Sequence, residues 1–192
     1  MRKSALIIII VLVLLIISFL TFYFVTRPTY GNDLAGVTKI IQDHDGEGGD
    51  LIVLDYVDVA GYRYAGFFEG DNTIGLLVLS GDGRGSFVYE NIYRVQSSSI
   101  AVFYDAFALD LAGTHGADIV VSKNALLSKV ERYVDGTLQE THAVEPGQPA
   151  ILVMELHSED AALNVELRCY DALNALITDV NTDTTGLLSG TP

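Results

Sequence analysis

The chain has 192 residues, a net charge of −14 at neutral pH and a single cysteine, and 49% of its residues are hydrophobic. This length suits one domain of ordinary size with additional segments. The acidity argues against nucleic acid and anionic lipid headgroups as ligands, because like charges repel. A lone cysteine excludes an intrachain disulfide.

An uncharged apolar stretch lies near the start of the chain. From Ala5 to Val25 all 21 residues are uncharged, and at about 1.5 Å per helical residue they cross the roughly 30 Å hydrocarbon layer of a membrane. We therefore predict one N-terminal transmembrane helix over residues 5–26, with the membrane as its partner. The basic segment of residues 1–4 precedes it, so the positive-inside rule places the N-terminus in the cytoplasm and the C-terminal domain outside.

The alternative for this stretch is a cleaved signal peptide. Such a peptide has an apolar core of about 7 to 15 residues and small residues at its cleavage site. The present run is longer and ends in the bulky sequence FYFVTRP. These features favour an uncleaved signal-anchor and a single-pass protein of the cell membrane.

The chain beyond residue 27 is strongly acidic. It holds all 25 carboxylates and 8 of the 11 basic residues, a net charge of about −17. Cations, basic protein partners or a saline exterior are compatible with such a surface, whereas nucleic acid is not.

Residues 27–50 are predicted to form a linker with a short helix in NDLAGVTKIIQDHD, capped by Asn32 or Asp33. The end of this linker holds the sharpest candidate for a metal site. In QDHDGEGGDL, carboxylates alternate with glycines, as calcium ligands do around a tight turn. The candidate calcium ligands are Asp43, Asp45, Glu47 and Asp50.

This acidic stretch resembles the calcium loop of integrin-type propeller repeats. It departs from that pattern because Glu47 replaces an aspartate, the loop is one residue shorter before Asp50, and a single copy is present. An EF-hand does not fit, since Leu54 and not a glutamate stands at the twelfth position counted from Asp43. Calcium binding and a solvated acidic loop therefore both remain open.

The pattern changes to short strands after residue 50. Runs rich in Val, Ile, Tyr and Phe are interrupted about every eight to twelve residues by Gly, Asp, Asn and Ser, as in antiparallel sandwiches and barrels. In NVELRCYD, Val165, Leu167 and Cys169 alternate with polar residues, which indicates one packed and one wet face. We predict an all-β domain over residues 51–178, an antiparallel β-sandwich of about nine strands, followed by a flexible tail over residues 179–192.

The sequence offers no catalytic signature, so we expect no enzyme activity. There is no G-x-S-x-G elbow and no S-x-x-K pair, and no H-x-x-x-H or C-x-x-C spacing for zinc. We interpret His44 and His115, which is near Asp118, as surface histidines, and Cys169 as a buried apolar residue. The loop SGDGRGS lacks the G-K-[ST] ending of a phosphate loop and reads as a turn. No cofactor is expected apart from the candidate calcium ion.

Four sequence features follow one another between Tyr62 and Ile177. They are an aromatic-ended strand (YAGFF), a glycine-containing hairpin (GDGRGSFVYEN), a central IVVSKNALLSKVE and a late YDALNALI. In this order the chain resembles small, N-terminally anchored extracytoplasmic proteins of unknown function from Gram-positive bacteria. The resemblance implies an all-β exterior domain behind one anchor, and it implies no activity and no site residue.

These features predict an extracytoplasmic binding or interaction module at the cell surface, with a protein partner and an unidentified ligand. An accessory subunit of a membrane or envelope complex is the first alternative, although the apolar helix has no G-x-x-x-G contact face. A pilin-like filament subunit and a surface hydrolase are the remaining alternatives.

Overall fold

This computed structural model describes residues 12–20, 30–45, 50–97, 99–110, 113–156 and 164–183. These residues contain two helical segments and eleven strands, which are joined by turns and loops. Helix α1 covers residues 12–20 and helix α2 spans Leu34–Asp45. The strands are β1 Leu51–Val59, β2 Tyr62–Glu69, β3 Thr73–Gly81, β4 Phe87–Gln96, β5 Ile100–Asp110, β6 Gly113–Ser122, β7 Leu127–Val134, β8 Thr137–Ala143, β9 Ala150–Leu156, β10 Val165–Asp171 and β11 Val180–Asp183.

The apolar stretch of residues 5–26 is described only over residues 12–20. These residues are helical and exposed, and the rest of the predicted anchor lies outside the described residues. Among the helices of the described part of the chain, none is long and apolar enough to cross a membrane.

The strands form three sheets. Sheet A has the order β1-β2-β3-β4, sheet B the order β11-β5-β6-β9, and sheet C the order β10-β7-β8. Every neighbouring pair is antiparallel except β11 and β5, which are parallel. The predicted all-β class with antiparallel sheets is confirmed.

The predicted number of about nine strands is wrong, because the described residues contain eleven. The two additional strands lack the apolar alternation on which the prediction depends. β8 has the polar sequence TLQETHA and is exposed at most positions, and in β11 only Val180 is apolar. β11 also falls within residues 179–192, predicted to be a flexible tail, and its pairing with β5 makes residues 180–183 part of the fold.

The layers are stacked in the order α2, sheet A, sheet B and sheet C. A hydrophobic cluster fills each of the three interfaces between them. Strand β3 shows how one sheet serves two clusters, because successive side chains of a strand point to opposite faces. Leu77 and Leu79 pack with α2, whereas Leu76 and Val78 pack with sheet B. Sheet C covers the other face of sheet B, so sheets A and B are both buried between layers.

Helix α2 belongs to this stack. The Asp33 side chain caps its start by accepting a hydrogen bond from the backbone N–H of Gly36 at 2.7 Å, as the sequence predicts. Val37, Ile40 and Ile41 share one helical face and are at most 2% exposed. The short helix predicted within residues 27–50 corresponds to α2, and its apolar face packs on sheet A.

The fold begins immediately before α2, where Gly31 is held on sheet A. The N–H of Gly31 donates to the carbonyl of Phe87 at 2.9 Å, and its own carbonyl accepts from Arg63 Nη1 at 2.7 Å. The Arg63 guanidinium lies between the rings of Tyr56 and Phe87, 3.7 and 4.1 Å from their centroids, and forms a bidentate ion pair with Asp58. The apolar stretch is thus joined to the domain by only a few residues of sequence.

Candidate functional site

The acidic stretch proposed for calcium is divided between the end of helix α2 and the residues that follow it. The backbone at Asp43 and Asp45 is helical, because α2 continues to Asp45, and Glu47 lies outside the described residues. Asp50 is exposed, and its carbonyl accepts from the N–H of Gly70 at 3.0 Å. Within the described residues no group of three or more His, Cys, Asp or Glu side chains is arranged to hold a metal ion. Calcium binding here stays a prediction.

The other sequence candidates occupy structural positions. The loop SGDGRGS is the turn from β3 to β4, as predicted, and Asp82 Oδ1 accepts from the backbone N–H groups of Arg84 and Ser86. These two hydrogen bonds lower the pKa of Asp82. His44 stacks on Tyr89 with 3.9 Å between ring centroids. The backbone of His115 lies in β6.

Asp118, which the sequence places near His115, instead begins a chain of charges between sheets B and C. It accepts from Arg132 Nε at 2.8 Å, and both side chains are buried, at 0% and 1% exposure. Arg132 Nη1 lies 3.7 Å from Glu140 Oε1, and Glu140 Oε2 lies 2.9 Å from His142 Nε2. Glu140 and His142 reach the surface, at 32% and 38% exposure. We name these four residues the buried charge chain after its buried end, Asp118 and Arg132.

The buried charge chain is suited to aligning two sheets. Burying an ion pair costs desolvation energy that only good geometry offsets, so it favours one relative position of sheet C on sheet B. Tyr104 lies beside it, and burial, followed by the charge of Asp118, raises the pKa of Tyr104 to about 12. Tyr104 therefore keeps its proton at neutral pH and is a poor general base.

The outward face of sheet C carries a second polar network, and it is exposed to solvent in part. Strand β7 contributes Lys129, Glu131 and Tyr133 at alternate positions, and β10 contributes Glu166, Arg168 and Tyr170. Antiparallel pairing places Tyr133 opposite Glu166, Glu131 opposite Arg168 and Lys129 opposite Tyr170. We name these six residues the tyrosine face: Lys129, Glu131, Tyr133, Glu166, Arg168 and Tyr170.

Each member of the tyrosine face contacts another member. Glu131 accepts from Lys129 Nζ at 2.7 Å and from the Tyr133 hydroxyl at 2.8 Å. The Arg168 guanidinium lies 4.1 Å from the centroid of the Tyr133 ring and pairs with Glu166 through two hydrogen bonds.

The remaining contact joins the two strands at the other end of the face. Lys129 Nζ lies 4.6 Å from the centroid of the Tyr170 ring, a distance at which a cation is attracted by an aromatic face. With this contact the network runs from Glu166 to Tyr170 without a break.

These contacts set the protonation states of the face. Hydrogen bonds from Lys129 and then Tyr133 lower the pKa of Glu131, and the hydrogen bond with Arg168 lowers the pKa of Glu166. The hydrogen bond to Glu131 is the main cause that raises the pKa of Tyr133 to about 12. At neutral pH Glu131 and Glu166 are therefore charged, and Tyr133 keeps its proton.

A face of this composition can bind a partner but is poorly suited to catalysing proton transfer. Tyrosine and arginine are the residue types that contribute most at protein interfaces, because each combines a flat apolar surface with hydrogen-bonding groups. Its sequence signal is Lys-x-Glu-x-Tyr in one strand and Glu-x-Arg-x-Tyr in another. That signal became meaningful only once β7 and β10 were known to be neighbours, which sequence reasoning did not establish.

No protein-family model matches the chain, and searches of curated proteins and of solved structures find no significant match. Function is therefore inferred from the residues of this chain alone.

Proposed function

We propose that this protein is a binding module at the outer surface of a cell membrane. Residues 5–26 anchor it as a single-pass transmembrane helix with the N-terminus in the cytoplasm. The β-sandwich layers stand outside the membrane, and the tyrosine face is the surface that recognises a protein partner. The protein acts by binding and not by catalysis.

The observation that carries this proposal is the burial of Glu131 on an outward sheet face. Glu131 is only 8% exposed, because Lys129, Tyr133 and their neighbours enclose it. Side chains held by one another lose little conformational entropy on binding, which is what preorganisation contributes to affinity. An isolated ion pair on a protein surface, by contrast, contributes little to the free energy of unfolding.

The charge of the tyrosine face also distinguishes it from the rest of the domain. Two cations and two carboxylates cancel on this face, whereas the chain as a whole carries −14. A partner can therefore approach sheet C without the general repulsion that other parts of the surface impose on acidic proteins.

The short connection to the membrane favours one alternative, an accessory subunit of a membrane complex. Gly31 is already part of the fold, so the domain stands close to the anchor that ends at residue 26. Extraction in mild detergent separates the two functions. A subunit stays with its complex, whereas a free-standing module runs alone until its ligand is added.

A photo-crosslinking experiment tests the proposal on the full-length chain. A photoreactive amino acid replaces Thr141, an exposed residue of β8 that is paired with Glu131. We expect one adduct of defined mass in intact cells. The matched control places the same amino acid at Asp55, an exposed residue of β1, where we expect no adduct. No adduct at Thr141, or the same adduct at both positions, contradicts the proposal.

A further inference from the structure

Three exposed leucines cluster at one end of sheet C. Leu126, Leu173 and Leu176 are 66%, 87% and 52% exposed. Leu127 of β7 pairs with Asp171 of β10, and Leu176 forms a bridge with Tyr170. The three exposed side chains therefore stand within a few residues of one pairing point. We name them the leucine tip.

Two turns of the same design hold the tip. Asn124 Oδ1 accepts from the N–H of Leu126 at 2.9 Å, and Asp171 Oδ1 accepts from the N–H of Leu173 at 2.8 Å. In each turn an Asn or Asp side chain bonds to the backbone two residues later, which mimics a backbone turn. In each turn the residue two positions later is an exposed leucine. The leucines are thus presented on ordered turns.

The Asp171 turn carries two more hydrogen bonds, one to the Asp171 side chain and one between backbone groups. Asp171 Oδ1 also accepts from Ala175 at 2.8 Å, and the N–H of Ile177 donates to the carbonyl of Cys169 at 2.8 Å. The first turn is joined to the connection between β4 and β5 by Asn124 Nδ2, which donates to Ser99 Oγ at 2.8 Å. Exposed apolar groups fixed on a rigid frame mark an interaction site more strongly than scattered ones.

The tip lies at the opposite end of the strands from Gly31, where the described domain begins. Lys123, next to Asn124, donates from Nζ to the carbonyl of Asp71, and β3 begins two residues later. β3 then runs nine residues to Gly81, close to the Phe87 carbonyl that binds Gly31. At about 3.3 Å per strand residue the separation is roughly 30 Å. The tip is therefore separated by this distance from Gly31, which follows the proposed anchor, and this favours a partner other than the membrane of that anchor.

The charges around the tip indicate what does cover it. Asp171 lies in the second turn, and Asp179 follows it as an exposed residue. Exposed Glu145 is in a loop beside the first turn, because Val144 bonds to Ser128 and Gly147 to Ala125. Lys123, which adjoins the first turn, is basic, so these carboxylates outnumber it three to one and the rim is acidic on balance. An apolar centre with such a rim complements an apolar surface with a basic rim. A second copy of the tip would bring like charges together.

We propose that the leucine tip is the apolar anchor point of the binding surface and that it docks a protein segment bearing apolar and basic side chains. This inference rests on the proposed function, and it extends the same surface, because Tyr170 belongs to the tyrosine face and also forms the bridge with Leu176. The partner contacts the tip with its apolar side chains and the rim with its basic ones.

The test uses full-length protein in a nonionic detergent and a fluorescent amphipathic helical peptide of leucine and lysine as the probe. Fluorescence anisotropy follows its binding. We expect the double variant Leu126→Ser/Leu173→Ser to bind the peptide about tenfold more weakly than the parent chain, as removal of central apolar contacts does. The matched control is Leu34→Ser, an exposed leucine of α2 at 45% exposure, with an expected change below about twofold.

Three outcomes overturn the inference. They are undiminished binding by the tip variant, an equal loss with Leu34→Ser, and equal binding of a leucine and glutamate peptide. Micelle binding of the peptide is the same for all variants and cancels in the comparison. The crosslink at Thr141 is measured separately, so failure of the proposed function is distinguished from failure of the tip.

Discussion

At the scale of single residues, the ion pair between Arg132 and Asp118 makes the sharpest prediction. Both side chains are almost fully buried, so removing Asp118 leaves the buried Arg132 guanidinium with a weaker ion pair, in which Nη1 is 3.7 Å from Glu140 Oε1. We expect Asp118→Ala to cost about 3–5 kcal/mol of unfolding free energy, measured by urea denaturation of the full-length protein. The exposed ion pair of Glu166 and Arg168 offers a matched control. We expect Glu166→Ala to lower the free energy of unfolding by less than about 1 kcal/mol. Equal losses contradict the assignment.

Cys169 provides a second prediction at this scale, for reactivity. It is 1% exposed within the cluster that joins sheets B and C, and burial raises the pKa of its thiol to about 11. Little thiolate is present at pH 8, so we expect iodoacetamide to modify the folded protein slowly and the urea-unfolded protein rapidly. Rapid modification without denaturant contradicts burial between the sheets.

At the scale of elements, α2 is predicted to contribute to stability as a core helix does. Ile40→Ala removes a side chain that is 2% exposed, and we expect it to cost about 2–5 kcal/mol through lost burial and the cavity that remains. The neighbouring exposed Lys39→Ala serves as the control and should change stability by less than about 0.5 kcal/mol. Equal effects of the two variants would mean that α2 is only loosely attached.

The elements also show how far the sequence could predict the fold. β10 alternates between apolar and polar residues and β3 is a short continuous apolar run, so both strands could be predicted from pattern alone. β8 could not, because an edge strand with polar residues such as Gln139 and Glu140 has no periodic signal. β11 could not, because four residues gain their strand conformation from pairing with β5. The helix start at Asp33 was predictable from local capping chemistry.

The candidate site was predictable only in part, for a similar reason. The acidic stretch around Asp45 is a local pattern, and sequence analysis found it. The tyrosine face and the buried charge chain join strands that are distant in sequence, as Tyr133 and Glu166 are. Residue types alone do not specify which strands pair, so no local pattern could have brought these side chains together.

At the scale of the whole molecule, the paired carboxylates predict an acid limit to stability. The pKa values of Glu131 and Glu166 are lowered in the folded state. Their contribution is therefore fully present above the unfolded value of about 4.3 and is lost as pH falls through the folded values. We expect the melting temperature to fall across this acidic window.

The variant Glu131→Gln isolates this effect. It removes one of the carboxylates whose pKa is lowered in the folded state, so its melting temperature should depend less steeply on pH in the acidic window. The control Glu155→Gln, at an exposed position, should retain the parent slope. Thermal denaturation followed by circular dichroism at several pH values makes the comparison. An unchanged slope for Glu131→Gln means that the tyrosine face does not hold its carboxylate in the charged form.

The most direct test of the account asks whether the folded domain stands outside the membrane with sheet C exposed. The variant Thr141→Cys adds a thiol at an exposed position of β8, while buried Cys169 stays in place as an unreactive control. A membrane-impermeant maleimide is applied to intact bacterial cells that express the full-length chain. We expect labelling of Thr141→Cys in intact cells and no labelling of the parent chain. Labelling of Thr141→Cys only after the cells are broken would contradict it.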